Sequence, residues 1–274
     1  MRLTFLGTGT SCGVPTIGCQ CEVCQSKDPR DKRLRCSALL ETESARLLID
    51  CGPDFRQQIL PQPFRKIDGV LVTHAHYDHM GGMDDLRPYC QFGEINVYAD
   101  PDACKGLLQM LPYCFAENRY PGVPAIQLNE IHPHKPFQIG DISILPFQVM
   151  HGKLPILGFR FTHHSPLTKH PSSIVYITDM KTMDDAELPY IMGEDSSPLT
   201  THQSPDTLIV NALRQGRPHH SHQLLDDAVK FAERVGARQT WLIHPSHEIG
   251  LHAEVNAMLP PHIQLAHDGL EINV

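Results

Sequence analysis

The stretch THAHYDHMGG, Thr73 to Gly82, places His74, His76, Asp78 and His79 within six residues, directly after the apolar run GVLVT. Imidazole nitrogens and a carboxylate are the donors that divalent zinc, manganese or iron prefers. A solvated turn would explain one or two such residues more readily than four at this density. Side chains alternate along an extended segment, so His74 and His76 point to the same side. Asp78 and His79 lie where the chain turns into a helix and can aim at a second position nearby. The two subsets suit two metal ions better than one.

Outward from this motif, short β-type runs recur: LTFLG, RLLID, INVYA, ISILPFQVM, SIVYITD, TLIV and TWLIH. Several end on a residue that can bind a metal or a proton. RLLID ends in Asp50, GVLVTH in His74, SIVYITD in Asp179 and TWLIH in His244. Sheet ends that share a rim can gather such residues into one site, although each alone would serve equally as a turn residue. The clearest helix is LLDDAVKFAERV, with Leu225, Ala228, Val229, Ala232 and Val235 on one apolar face and Gly236 to stop it. Strands of near-continuous apolar content predict sheets covered by helices on their outer faces. No repeat or polar linker divides the chain, so residues 1–274 are expected to form one domain.

Composition narrows the function. The chain has 41% hydrophobic and 20% charged residues, as a soluble globular protein does, and no apolar run approaches a membrane span. The start, MRLTFLGTGTSCG, is a poor secretory signal, and the expected location is the cytoplasm. A net charge of -8 argues against binding nucleic acid through a basic surface, but not against a phosphate substrate if metal ions supply positive charge locally. The nine cysteines are unlike a disulfide framework in an unexported chain, so GCQCEVC, Gly18 to Cys24, reads as metal binding by Cys19, Cys21 and Cys24. Cys12, Cys36, Cys51, Cys90, Cys104 and Cys114 are expected to be small buried hydrophobes. The glycines of GTGTSCG miss the dinucleotide-binding spacing by one, and no helix follows them.

The H-x-H-x-D-H motif after a strand resembles that of the metallo-β-lactamase superfamily, and the resemblance runs over nearly the whole chain. It extends to LTFLGTGTSCG, to Asp50 in LLIDCG, to His151 in FQVMHGK, to Asp179 in YITDM and to His244 in WLIHPSH. The resemblance implies an α/β fold of the αββα sandwich type with a dinuclear site at one edge. His74, His76 and His151 would hold one ion, Asp78, His79 and His244 the other, and Asp179 would bridge them. His222, 22 residues before His244, is similar to the extra histidine of the ribonuclease Z and phosphodiesterase branch. That makes His222 and Asp78 the catalytic side chains, with His222 as general acid and a metal-bridging hydroxide as nucleophile. His219 and His220 beside it blur this assignment.

GCQCEVC itself resembles the C-x-C-x-x-C insertion of the phosphoribosyl cyclic phosphate phosphodiesterases of the carbon-phosphorus lyase pathway, where three cysteines and a histidine hold a structural zinc. The matching histidine here is His247. The cofactors implied are two divalent ions, zinc or manganese, and one structural zinc. Lys153, Arg87 and Arg160 are candidates for phosphate contact. The expected partner is a small, cyclic or linear phosphodiester, with no membrane, with nucleic acid a weaker alternative, and with a homodimer left open. A ribonuclease Z-like nuclease and a thioester or lactone hydrolase are the rival activities. The first is weakened because no basic, Gly-rich insertion for clamping transfer RNA is present.

Overall fold

A computed structural model describes residues 1–164, 170–193 and 204–274. The first sheet contains β1 (Arg2–Gly7), β2 (Ser37–Glu41), β3 (Arg46–Ile49), β4 (Gly69–Leu71), β5 (Ile95–Ala99), β6 (Ile126–Glu130) and β14 (Glu271–Asn273). The second contains β7 (Phe137–Ile139), β8 (Ile142–His151), β9 (Leu154–His163), β10 (Ser172–Ile177), β11 (Thr207–Asn211), β12 (Gln239–Ile243) and β13 (Ile263–Leu265). Their spatial orders are β14-β1-β2-β3-β4-β5-β6 and β13-β12-β11-β10-β9-β8-β7. The helices are α1 (Glu22–Gln25), α2 (Phe55–Ile59), α3 (Tyr77–Met80), α4 (Pro101–Met110), α5 (Leu188–Met192), α6 (Leu225–Val235) and α7 (His252–Met258).

Three layers of apolar contact make this the αββα sandwich that the sequence suggests. Between the sheets lie Leu3, Phe5, Leu40, Leu47, Ile49 and Leu71 on one side and Phe159, Phe161, Ile174, Tyr176, Ile209 and Ile243 on the other. The intervening strand residues face the helices. Leu48 and Val70 pack on Phe55, Ala103 and Leu107 outside the first sheet, and Val175, Ile177 and Val210 pack on Ile191, Ala228 and Ala232 outside the second. Both faces of the inner strands are therefore buried, which explains why their sequences read as continuous apolar runs rather than alternating ones. Leu225, Ala228, Ala232 and Val235 of α6 are buried, and Gly236 ends that helix in the left-handed conformation at φ 65°. Among the described residues no helix is long and apolar enough to cross a membrane.

The topology determines where chemistry can gather. Strands β3 to β6 run parallel, as do β10 to β13, so each sheet presents C-terminal strand ends on one rim. Between β3 and α3 the backbones touch. Cys51 N–H donates to His79 O at 2.7 Å and Gly82 N–H to Cys51 O at 2.8 Å. A Cβ on Gly52 would stand 2.1 Å from Asp78 O, so glycine is required for this approach.

Candidate metal centre

Three of the residues that end the buried strands share an unusual backbone. Asp50 after β3, Asp179 after β10 and His244 after β12 have φ of 57°, 57° and 60°. A non-glycine residue in this region carries strain of about 1–3 kcal/mol, which packing of the flanking strands must offset. The reversal turns each side chain off its strand and toward the rim. His151 arrives differently, as the last residue of β8, paired with Leu154 across the turn to β9. His74 follows β4, and α3 presents Asp78 and His79.

The donor atoms of His74, His76 and His151 lie within 4.8 Å of one another, as do those of Asp78, His79 and His244. The carboxylate of Asp179 adjoins both sets. Its Oδ2 is 3.0 Å from His79 Nε2 and its Oδ1 is 3.0 Å from His244 Nε2, while it also falls within the same span of His74 and of His151. His79 Nε2 and His244 Nε2 face these carboxylate oxygens outside hydrogen-bond geometry, and His244 Nδ1 is buried with no hydrogen-bond partner. Unpaired buried nitrogens are costly. A cation placed against the two Nε2 atoms would satisfy those, and the two donor sets together fit two divalent ions.

Contacts behind the rings aim these nitrogens. Thr73 Oγ1 donates to Asp50 Oδ2 at 2.9 Å and can accept from His74 Nδ1–H at 3.0 Å, which leaves His74 Nε2 as a free donor atom. That Nε2 stands 3.0 Å from His76 Nδ1. His79 Nδ1–H donates to Asp50 Oδ2 at 2.7 Å, and His151 Nδ1–H to Ser221 O at 2.9 Å. Carboxylate, hydroxyl and carbonyl partners of this kind fix the tautomer of a ligating histidine.

The electrostatics follow from burial and crowding. Burial holds the His74 imidazole well below its ordinary range, with His79 adding to the effect, and burial and then His151 lower His76. For Asp179, burial alone would favour the protonated acid, but the charges of His244 and His79 prevail and hold it well below the usual carboxylate range. Burial likewise opposes charge on His244, and Asp179 overcomes it to push that ring up to about 9. His222 is pulled down to about 2, by burial first and then by His244.

His222 lies just before α6 and is buried against this cluster. Its Nδ1 is 3.5 Å from Asp179 Oδ1, and its ring stacks on His244 with centroids 4.9 Å apart. His220 is exposed and His219 half-buried, with its ring 5.0 Å from that of His222. Beside the centre is a pocket of about 640 Å³ lined by His76, His151, Gly152, Lys153, Leu154, His220 and Ser221. Lys153 is therefore at the site. Arg87 and Arg160 are not: exposed Arg87 is bonded to Asp84 and Gly122 O, and buried Arg160 donates to Ile191 O under α5.

The second cluster is Cys19, Cys21, Cys24 and His247, with donor atoms again within 4.8 Å of one another. His247 Nδ1 is 3.4 Å from Cys19 Sγ and 3.2 Å from Cys21 Sγ. The backbone N–H of Cys24, followed by His247, brings the Cys21 thiol down to about 6, whereas burial pushes Cys24 up to about 11. Three sulfurs and one imidazole fit a closed tetrahedral zinc site. Of the remaining cysteines, Cys36, Cys51, Cys104 and Cys114 are buried as expected, Cys90 is half-buried and Cys12 is exposed. Cys12 departs from the expectation because the turn after β1 carries it outward.

Residues 45–245 match the family model described as the beta-lactamase superfamily domain. The chain belongs to the metallo-β-lactamase superfamily. Among solved structures it is similar to a diphosphatase from the PhnP family, at 36% identity and a TM-score of 0.84 over 100% of this chain and 97% of that one. It is 41% identical over 272 residues to an octanoyltransferase of Porphyromonas gingivalis, covering 99% of this chain and 51% of the relative. A ribonuclease Z of Bradyrhizobium is 28% identical over 175 residues, 62% of this chain and 52% of that protein. The chain thus spans about half the length of the curated relatives it matches. Superfamily membership explains the divalent-metal donor set.

Sequence reasoning did not find what stands behind the ligands. The Ser221 carbonyl is a backbone atom with no residue signature, and Thr73 is in sequence only the residue that opens THAHYDHMGG. Asp50 was marked as a strand-end acid, but its place under His79 needed the fold.

Proposed function

We propose that this chain is a metal-dependent hydrolase of phosphodiesters, acting on small, cyclic or linear substrates. The observation that carries the proposal is His222, buried against Asp179 and His244 beside an open pocket. An alkoxide leaving from phosphorus needs a proton, whereas a thiolate leaving from a thioester does not, so a histidine in this position favours an oxygen ester. The similarity to a diphosphatase and to a ribonuclease Z supports phosphorus chemistry. The octanoyltransferase name describes a protein of which about half lies outside the match, so that name does not carry over to this chain.

In this reading His74, His76 and His151 would hold one divalent ion, Asp78, His79 and His244 would hold the other, and Asp179 would serve both. When bound, such ions acidify water and neutralise charge on the phosphate. His222 keeps Nδ1 toward Asp179 and uses Nε2 to protonate the departing oxygen. Burial in the free protein disfavours the charged form of this ring, and an anionic phosphate beside it would favour that form. Lys153, exposed and without an ion-pair or hydrogen-bond partner among the described residues, offers its ammonium to phosphate oxygens at the pocket mouth. Cys19, Cys21, Cys24 and His247 would hold a structural zinc.

The test is hydrolysis of paired phosphodiesters, one with an alkyl and one with a nitrophenyl leaving group, by protein of measured metal content. His222→Ala is expected to lose about 10²- to 10⁴-fold on the alkyl ester and far less on the nitrophenyl ester. Hydrolysis of thioesters or lactones with none of either phosphodiester would overturn the reading.

A further inference from the structure

His222 and Asp179 come from different elements, and their approach to 3.5 Å needs a scaffold. Each has a neighbour in the chain, Gln223 and Met180, and a small polar circuit joins these two. Asn211, the fully buried last residue of β11, accepts from Met180 N–H at 2.8 Å through Oδ1 and donates to Met180 O at 2.9 Å through Nδ2. A carboxamide is the side chain whose donor and acceptor match both groups of one residue's backbone. Gln223 closes the circuit. Its backbone N–H donates to Met180 O at 3.0 Å and its Nε2 donates to Asn211 O at 2.7 Å, while Leu213 N–H donates to Gln223 O at 3.2 Å.

The surroundings are apolar. Met180, Val210, Ala212 and Leu225 belong to the core outside the second sheet. Buried amides here must be bonded, and a fully bonded network is rigid. Asp179 precedes Met180 in the strained left-handed conformation, so a hold on both backbone groups of Met180 limits how Asp179 can relax. We propose that Asn211 and Gln223 form an amide clamp that sets the position of His222 against Asp179. Neither amide reaches the pocket, so both are positioning residues. The inference rests on the reading of His222 as proton donor.

The clamp is tested in metal-loaded protein with Gln223→Met, His222→Ala and the double variant, each checked for metal content and melting temperature. Gln223→Met should lose roughly tenfold in kcat on the alkyl phosphodiester, the scale of a lost supporting contact, and little on the nitrophenyl ester. The double variant should be no worse than His222→Ala alone, within about twofold, because Gln223 acts only through His222. Losses that multiply in the double variant, or that are equal for the two leaving groups, would overturn the clamp. Imidazole NMR keeps the test independent of substrate. Gln223→Met should move the His222 ring resonances and leave those of His76 in place, and unmoved His222 resonances contradict the proposal even if no phosphodiester is turned over.

Discussion

The two donor clusters are built in opposite ways. The histidine and aspartate centre is held by strand ends from both sheets, with His79 and Asp50 fully buried and the central core beneath them. The cysteine cluster sits in the loop that leads into α1, with Cys24 inside that helix, and on the turn after β12, where Val14, Val23 and Leu251 back it. One cluster spends the stability of the fold on strained backbone and crowded imidazoles. The other stands where the fold has little core of its own, and there a metal would supply the cohesion. The loops it joins are more than 220 residues apart in sequence, Cys24 to His247.

The largest break in this contrast is expected from Asp179→Ala. Removing the carboxylate that adjoins both donor sets should cost several kcal/mol of transition-state stabilisation, roughly 10³-fold in kcat/KM, while the cysteine cluster keeps its ion. Metal analysis beside steady-state rates checks it. A variant with near-normal rate would show that Asp179 serves neither set.

Cys21→Ser should do the reverse. One zinc is lost, the melting temperature falls by about 5–10 °C, and activity per folded molecule falls far less than in Asp179→Ala. Calorimetry with metal analysis reads both, and unchanged zinc would leave the cluster as a group of ordinary thiols.

The smallest effect is expected beneath the first centre, where Thr8 O accepts from His244 N–H at 2.7 Å and Thr8 bonds Asp268. Asp268 accepts from Thr8 N–H at 2.8 Å, Thr8 Oγ1 at 2.7 Å and Leu34 N–H at 2.7 Å, yet burial pushes its carboxyl up to about 6. A raised folded-state pKa means that the folded chain binds the proton more tightly than the unfolded one. The contribution is fully present below about pH 4 and is lost as pH rises through about 6, at most about 3 kcal/mol. The unfolding free energy of wild type minus that of Asp268→Asn should therefore decrease between pH 4 and 7. A difference that is flat across this range would rule the linkage out.

Much of this was legible in the sequence because each metal donor is a side chain with its own chemistry. The THAHYDH run and the residues ending RLLID, SIVYITD and TWLIH mark the rim, and the near-continuous apolar strands imply sheets covered by helices. What was not legible depends on backbone. The left-handed turns at Asp50, Asp179 and His244 have no glycine to announce them, and the Ser221 carbonyl behind His151 could come from any residue. The three cations show the same limit. Arg160 and Arg87 look like Lys153 in sequence, and only packing shows that one lies under α5, one is tied to Asp84 and one is at the pocket.

The most direct measurement is the metal content per folded chain of wild type and Cys21→Ser, taken together with their phosphodiesterase rates. Two separate centres require about three ions in wild type and about two in the variant, with most of the activity kept. A wild type that holds a single ion, or a variant that loses all its metal and activity together, would contradict the division into a catalytic centre and a structural clamp.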